Sequence, residues 1–289
     1  MFQFFANIFG YLLEIINQFV NNYGLAIILF TAIIKLIMLP LSIKQQRSMK
    51  KNVELQEKMK IIQFKYKNDP EKLNKETIDL YKQEKLSPFS GCFSAIIQFV
   101  LLISIFYMVR FPLTYMEKVD KSKIDTYTQQ IKDAGMEVSQ TYSEIDIIRE
   151  INFLREKNPE DETLKNININ MNFLGLDLSK IPQQNLTDWT VYIIPILYIL
   201  STFVSMRITN SMQNTNKDKK EITDGENKEN QRSEMEDAMA QSNKMMSWMM
   251  PIMSVSISLV APLGLALYWF VNNILMIGER LVLNKVIKD

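Results

Sequence analysis

Apolar residues fall into four runs separated by segments dense in charge. Gly24 to Ile43 carries one charge, at Lys35, while Cys92 to Val109 and Trp189 to Met206 carry none. From Met245 to Gly278 there are 34 residues without a charged side chain, interrupted by a turn signal at Pro262-Leu263-Gly264. About 20 apolar residues cross a bilayer. With the long run folded at its turn, the pattern predicts membrane spans at 24-43, 92-110, 189-206, 245-261 and 264-283. The expected fold is an all-α integral membrane protein, a five-transmembrane-helix bundle.

The segments between runs have patterns of their own. Gln3, Asn7, Glu14, Asn17, Gln18 and Asn21 recur at helical spacing among Phe, Ile and Leu. That pattern predicts an amphipathic helix lying in the membrane surface over 1-22. It has no positive n-region and no small-residue cleavage site, so it does not resemble a signal peptide. Residues 44-91 read as a helical hairpin: Met49, Val53, Met59, Ile62 and Tyr66 fall near helical spacing, then Asn68-Asp69-Pro70 breaks the run. Leu73, Thr77, Leu80 and Tyr81 resume it. Residues 111-188 form a polar loop with helical pieces expected near Lys118–Ala134 and Ser143–Glu156. Residues 207-244 read as a linker, disordered in part, and 284-289 as a short tail.

Charge sets the expected orientation. Within 15 residues of the ends of these apolar runs, one side collects 16 Lys and Arg and the other 5. Basic residues stay on the cytoplasmic side. The hairpin, linker and C-terminus are therefore expected inside, and the N-terminus and polar loop outside. The hairpin holds 12 basic and 7 acidic residues, and the outer loop 9 and 14.

Composition narrows the chemistry. The 289 residues have a net charge of +1 and a mean hydropathy of −0.05, an average that hides the segregation of charge into the connecting segments. There is no His and a single Cys, Cys92. That removes the commonest general base and metal ligand and any internal disulfide. No glycine-rich phosphate loop and no internal repeat occur. No catalytic residue, metal site or cofactor is expected, and no enzyme activity.

Lys35 is the most informative residue. It lies near the middle of the first span, where a charge costs about 2.5–3.5 kcal/mol on insertion scales. No Asp or Glu occurs in the uncharged runs, so water or a visiting carboxylate is its expected partner. Other spans carry polar stripes at helical spacing: Thr31 with Lys35, Met38 and Ser42; Ser94 and Gln98; Ser201 and Ser205; Ser247, Ser254 and Ser258; Tyr268, Asn272 and Met276. Singly, such stripes are interhelical glue. Around a mid-span lysine they predict a shared hydrophilic cavity. The uncharged parts of the last two spans have roughly 15–17 residues each, about 25 Å of helix, less than the roughly 30 Å hydrocarbon core. Such a mismatch thins the bilayer locally.

Several motifs resemble the YidC-type membrane protein insertases of the Oxa/Alb superfamily, in the Gram-positive-like five-span form. They are Tyr23-Gly24-Leu25 through Thr31-Ala32-Ile33-Ile34-Lys35 to Leu39-Pro40-Leu41, then Leu80-Tyr81-Lys82, Ser87-Pro88, Gly91-Cys92-Phe93 and Ile97-Gln98. Phe173-Leu174-Gly175-Leu176-Asp177-Leu178 and the final Pro262, Gly264, Leu267-Tyr268-Trp269 and Asn273 complete the set. The resemblance implies a groove open to the cytoplasm and to lipid. It would be formed by Lys35, Thr31, Gln98, Ser201, Ser205, Ser254, Ser258, Tyr268, Trp269 and Asn272. A positive side chain in the first span would receive hydrophilic segments of nascent membrane proteins, whose apolar segments then pass into the lipid bilayer without nucleotide hydrolysis. The implied location is the bacterial plasma membrane, with the ribosome and the general secretion channel as candidate partners. Two departures stand out. Lys35 replaces the Arg usual in the family, and Phe99-Val100 replaces a usual Met-Pro. The rival expectations are a small-solute or lipid transporter using Lys35 as an anion site, and a structural subunit of a membrane complex.

Overall fold

The computed structural model describes residues 2–66, 69–84, 90–214 and 255–286. The described chain is almost wholly helical. In order come α1 (Phe2–Val20), α2 (Tyr23–Lys65), α3 (Pro70–Gln83), α4 (Ser90–Arg110), α5 (Pro112–Tyr115) and α6 (Lys121–Asp133). Then follow α7 (Ser143–Arg149), α8 (Ile151–Lys157), α9 (Glu162–Asn166), α10 (Ile193–Asn214) and α11 (Leu263–Val286). A helical stretch at 255–260 precedes α11. Two short strands, β1 (Asn172–Phe173) and β2 (Leu176–Asp177), make one antiparallel hairpin. Among the described residues, Tyr23–Ser48 and Trp189–Ile208 are long and apolar enough to cross a membrane.

The chain divides into two compact units. The first holds residues 1–36, 99–202 and 253–276, and the second the rest. The border in α2 falls between Leu36 and Ile37, next to a break in the hydrogen-bond ladder. Pro40 lies inside this helix, and its ring nitrogen cannot donate to the Leu36 carbonyl.

In the first unit, α1 buries Ala6, Phe9, Gly10, Leu13 and Ile16. The Phe9 ring meets Phe30 of α2 edge-on at 5.9 Å. Gly10 lies against the backbone of Tyr115 at the end of α5: a Cβ built there would sit 2.1 Å from the Tyr115 carbonyl oxygen. The opposite side of α1 exposes Phe4, Ile8, Tyr11 and Phe19, at helical spacing. The helix therefore has an apolar face for the protein and a second apolar face turned away from it. Polar Gln3 and Asn7 are exposed beside them.

The segment from Ile167 to Asn172 alternates buried Ile167, Ile169 and Met171 with exposed Asn168, Asn170 and Asn172. Period two is the signature of extended chain, and this segment lies along the α1–α2 elbow. The Asn168 carbonyl accepts from Asn17 Nδ2 at 3.0 Å, and the Asn172 carbonyl from Asn22 Nδ2 at 2.7 Å. Between them, the Tyr23 amide donates to the Asn170 carbonyl at 3.0 Å. The β1–β2 turn follows, with Leu174 at φ 52° and Gly175 at φ 81°. Phe173 packs its ring on Gly24, where a Cβ would come within 2.4 Å of it. Beyond the turn, the Leu178 and Lys180 carbonyls accept from the amides of Gly264 and Leu263, each at 3.0 Å. The start of α11 is thus tied to the end of the polar loop.

That loop is a folded body. The expected helical piece near 118–134 forms as α6, and the piece near 143–156 forms as two short helices parted at Glu150. Its buried apolar residues, Leu113, Met116, Ile131, Ile147, Leu154 and Leu164 among them, join one core with those of α1 and α2.

In the second unit, α2 runs on past Pro40 to Lys65. Asp69 caps α3, its side chain accepting from the Lys72 amide at 3.1 Å, and Pro70 opens the helix. This is the break expected from Asn68-Asp69-Pro70, with the proline in the position where its missing N–H costs nothing.

Candidate functional site

Lys35 is half-buried on α2, between exposed Ile33 and Leu36. One turn earlier Thr31 is buried, and its hydroxyl donates to the Ile27 carbonyl at 2.6 Å. A β-branched hydroxyl inside a helix commonly satisfies itself this way. Ser258 is likewise buried and donates to the Val255 carbonyl at 2.8 Å. Tyr268 is buried, and Asn272 and Trp269 are half-buried on α11.

The clearest polar constellation joins α10 and α11. The Ser201 and Thr202 hydroxyls donate to the Tyr198 carbonyl at 2.7 and 2.9 Å. Both then accept from the Asn273 amide, at 3.0 and 3.1 Å. One turn away the Tyr198 and Trp269 rings lie 5.9 Å apart at 35°. Tyr198 and Thr202 are four residues apart, as are Trp269 and Asn273. Each helix therefore offers an aromatic and a polar group on one face, and the two faces meet. Beside this seam α10 exposes Ile196, Leu197 and Leu200. An apolar surface thus borders a pinned polar line.

The predicted residues distribute as follows. Lys35, Thr31, Ser201, Ser258, Tyr268, Trp269 and Asn272 belong to the first unit, and Ser205, buried on α10, to the second. Gln98 lies on α4 in the second unit, its side chain outside the described residues; Ser254 lies outside them altogether. Asn273 was not among the predicted groove residues, although it makes the bonds that cross from α11 to α10. The signal for it is the four-residue spacing from Trp269, matched by Tyr198 and Thr202 on the other helix. Among the described residues no group of three or more His, Cys, Asp or Glu side chains could hold a metal ion.

Among the described residues, the α10–α11 seam is a helical surface bordered by apolar side chains, with hydroxyls that bond within their own helices, and α2 carries the half-buried Lys35. Residues 15–289 match the 60Kd inner membrane protein family. The chain belongs to that family. It is a mostly helical member of an integral membrane family of the bacterial plasma membrane. A curated relative from Caldanaerobacter subterraneus subsp. tengcongensis, named membrane protein insertase YidC, is 44% identical over 101 residues, 35% of this chain and 49% of the relative. Another of that name, from Francisella tularensis subsp. novicida, is 44% identical over 109 residues, 38% of this chain and 20% of the relative. The matched regions thus cover half or less of the length of these relatives.

Within the family frame, Gly24, Phe173, Leu178 and Gly264 gain a physical role. The motif Phe173–Leu178 is the piece that holds the elbow before α2 and the start of α11 together. Gly24 is required by the Phe173 ring, and Gly264 stands 3.4 Å, at its Cβ position, from the ring of Tyr23.

Proposed function

We propose that the protein is a membrane protein insertase and chaperone of the bacterial plasma membrane. It receives hydrophilic segments of nascent membrane proteins at Lys35 and releases their apolar segments into lipid beside α10 and α11. Five spans and an interfacial α1 form the scaffold. The N-terminus and the folded loop lie outside, and the hairpin, linker and C-terminus lie in the cytoplasm, where the ribosome and the secretion channel are the candidate partners. No nucleotide is hydrolysed.

The observation that carries this reading is the position of Lys35. It is the one charge in a 20-residue apolar run of α2, half-buried and flanked by exposed apolar side chains. A cation there sits in a low dielectric, where attraction to a carboxylate reaches about 4 kcal/mol at 4 Å for an effective dielectric constant of 20. Apolar burial and the membrane potential supply the remaining drive. The Asn273 pin supports the reading that α10 and α11 act as one surface over which a substrate helix moves. Gln98, Ser205, Ser254 and Asn272 complete the hydrophilic groove in this reading. Thr31, Ser201, Ser258 and Tyr268 form its packed wall, and Trp269 stiffens the seam.

The test is insertion of a single-span substrate with an acidic translocated tail into vesicles holding the purified protein alone. Lys35→Arg should retain activity, because charge is kept. Lys35→Glu should lower it by at least roughly tenfold, since every 1.4 kcal/mol is a factor of ten. Equal insertion by wild type and Lys35→Glu at matched protein levels overturns the charge mechanism.

A further inference from the structure

Arg110 is the last residue of α4, directly after the uncharged run from Cys92 to Val109. Along that helix Phe99 and Leu102 are exposed one turn apart, an apolar face suited to lipid. The guanidinium is held from several sides. Its carbon lies 4.7 Å from the Phe111 ring centre, 5.7 Å from Tyr142 and 5.9 Å from Phe106. Its Nε donates to the Thr141 carbonyl at 2.7 Å.

These contacts fix the plane of the group, and among the described residues both terminal amino groups are uncommitted. Among the described residues no carboxylate comes within ion-pair distance of it. Nearby acids are engaged elsewhere. Glu144 accepts from the Thr114 amide and hydroxyl, and Asp146 pairs with Arg149 at 2.8 Å. Aromatic faces favour a cation that has shed water, and a guanidinium is weakly hydrated. Its free edge matches the fork geometry of a phosphate.

We propose that Arg110 binds the phosphodiester of a phospholipid headgroup, with the acyl chains lying along the exposed apolar face of α4. This rests on α4 spanning the membrane with its Arg110 end outside, as in the function proposed above. A phospholipid is the favoured anion because the site stands where an apolar helix ends. There hydrocarbon gives way to headgroups, and the phosphates form a continuous layer.

The test is native mass spectrometry of the purified full chain in detergent, titrated with phosphatidylglycerol. The wild type should retain the lipid, and Arg110→Gln should weaken retention about tenfold, the size of a lost charge-assisted bidentate contact. Arg110→Lys should fall between the two. Phe111→Leu, which keeps the charge and removes one ring, should weaken retention by a smaller factor. Diacylglycerol, which lacks the phosphate, should bind wild type and Arg110→Gln alike. Phosphatidylglycerol retention that is equal in wild type, Arg110→Gln and Phe111→Leu, with unchanged thermal midpoints, overturns the proposal. So does displacement of the lipid by millimolar inorganic phosphate, which would make this a free-anion site. Lys35→Glu should leave lipid retention unchanged, so the lipid site and the insertase reading fail separately.

Discussion

Residues 111–188, the outer region in the orientation proposed above, and the hairpin made by the second half of α2 with α3 are both heavily charged, yet they use charge in opposite ways. In the outer region carboxylates are structural. Glu144 is 3% exposed and accepts from the backbone and side chain of Thr114 at the start of α5. Asp146 accepts from the Ser139 amide at 2.7 Å and pairs with Arg149. Asp161 caps α9 and also takes Lys123 at 2.8 Å and the Tyr127 hydroxyl at 2.6 Å. Asp188 caps the 3-10 turn that leads into α10 and holds Lys180 at 2.8 Å. In the hairpin the ion pairs lie on the surface: Lys58 with Glu84, Lys72 with Asp69 and Lys82 with Asp79. Its described buried apolar residues are Leu55 and Leu80. A count of charged residues treats the two regions alike. Their stability does not, because a buried carboxylate satisfies backbone donors while an exposed pair is screened and entropically loose.

The sharpest way to break this comparison is Gly10→Ala. The added methyl meets the Tyr115 backbone, which cannot swing aside as a side chain would, so α1 must lift from α5. Overpacking of this kind costs about 1–3 kcal/mol. Limited proteolysis should then open residues 112–188 while cleavage in the hairpin stays at its wild-type rate. Unchanged protection of the outer region would show that it folds without α1.

A smaller effect sharpens the comparison through pH. Burial, and then the nearby Glu14 carboxylate on α1, push Glu117 up to about 7, against a weaker opposing hydrogen bond from the Asn168 amide. A carboxyl raised on folding binds its proton more tightly in the native state. Its contribution is therefore full below about 4.5 and is lost as pH rises from there to about 7. Asp161 and Asp188, both held near 2 by their partners, act in the opposite sense, and only as pH falls from 3.8 toward 2. Glu117→Gln should raise the thermal midpoint of the outer region at pH 8, leave it unchanged at pH 4, and flatten the slope between. A slope that persists in Glu117→Gln would place the titration elsewhere.

The smallest expected effect is Lys58→Ala in the hairpin. Its pair with Glu84 has side chains 53% and 38% exposed. Such pairs contribute about 0.2–1 kcal/mol. Amide exchange in α3 should change little. A loss as large as that of Gly10→Ala would mean that the hairpin, too, is held by specific charge contacts.

Much of the local structure was legible in the sequence because local physics wrote it. Asp69-Pro70 combines a capping carboxylate with a residue that has no amide to satisfy, and α3 begins there. The uncharged runs mark helices because their backbone groups must bond within the segment. Less legible was the alternation Ile167 to Asn172. Its period is clear in retrospect, but its partner is a helix elbow some 150 residues earlier. The fourteen acids of residues 111–188 do not reveal by pattern which are buried, as Glu144 and Asp146 are, since capping depends on which helix ends arrive beside them. Helical spacing singles out Ser201 and Asn272, while the side chain that bonds to Ser201 and Thr202 is that of Asn273. The two asparagines are one residue apart on a helix, and only the facing of α10 distinguishes them.

The sequence by itself determined the apolar helices, the charge asymmetry between their ends, the breaks at proline and glycine, and a lysine in the middle of the first run. Each follows from a cost borne within a few residues: an unsatisfied backbone group, a desolvated charge or a forbidden dihedral angle. Only the tertiary structure decided which face of α1 meets Tyr115, which asparagine reaches Ser201 and Thr202, and which carboxylates leave water. Those outcomes depend on long-range close packing, where one methyl at Gly10 or Gly24 would overlap a neighbour distant in sequence.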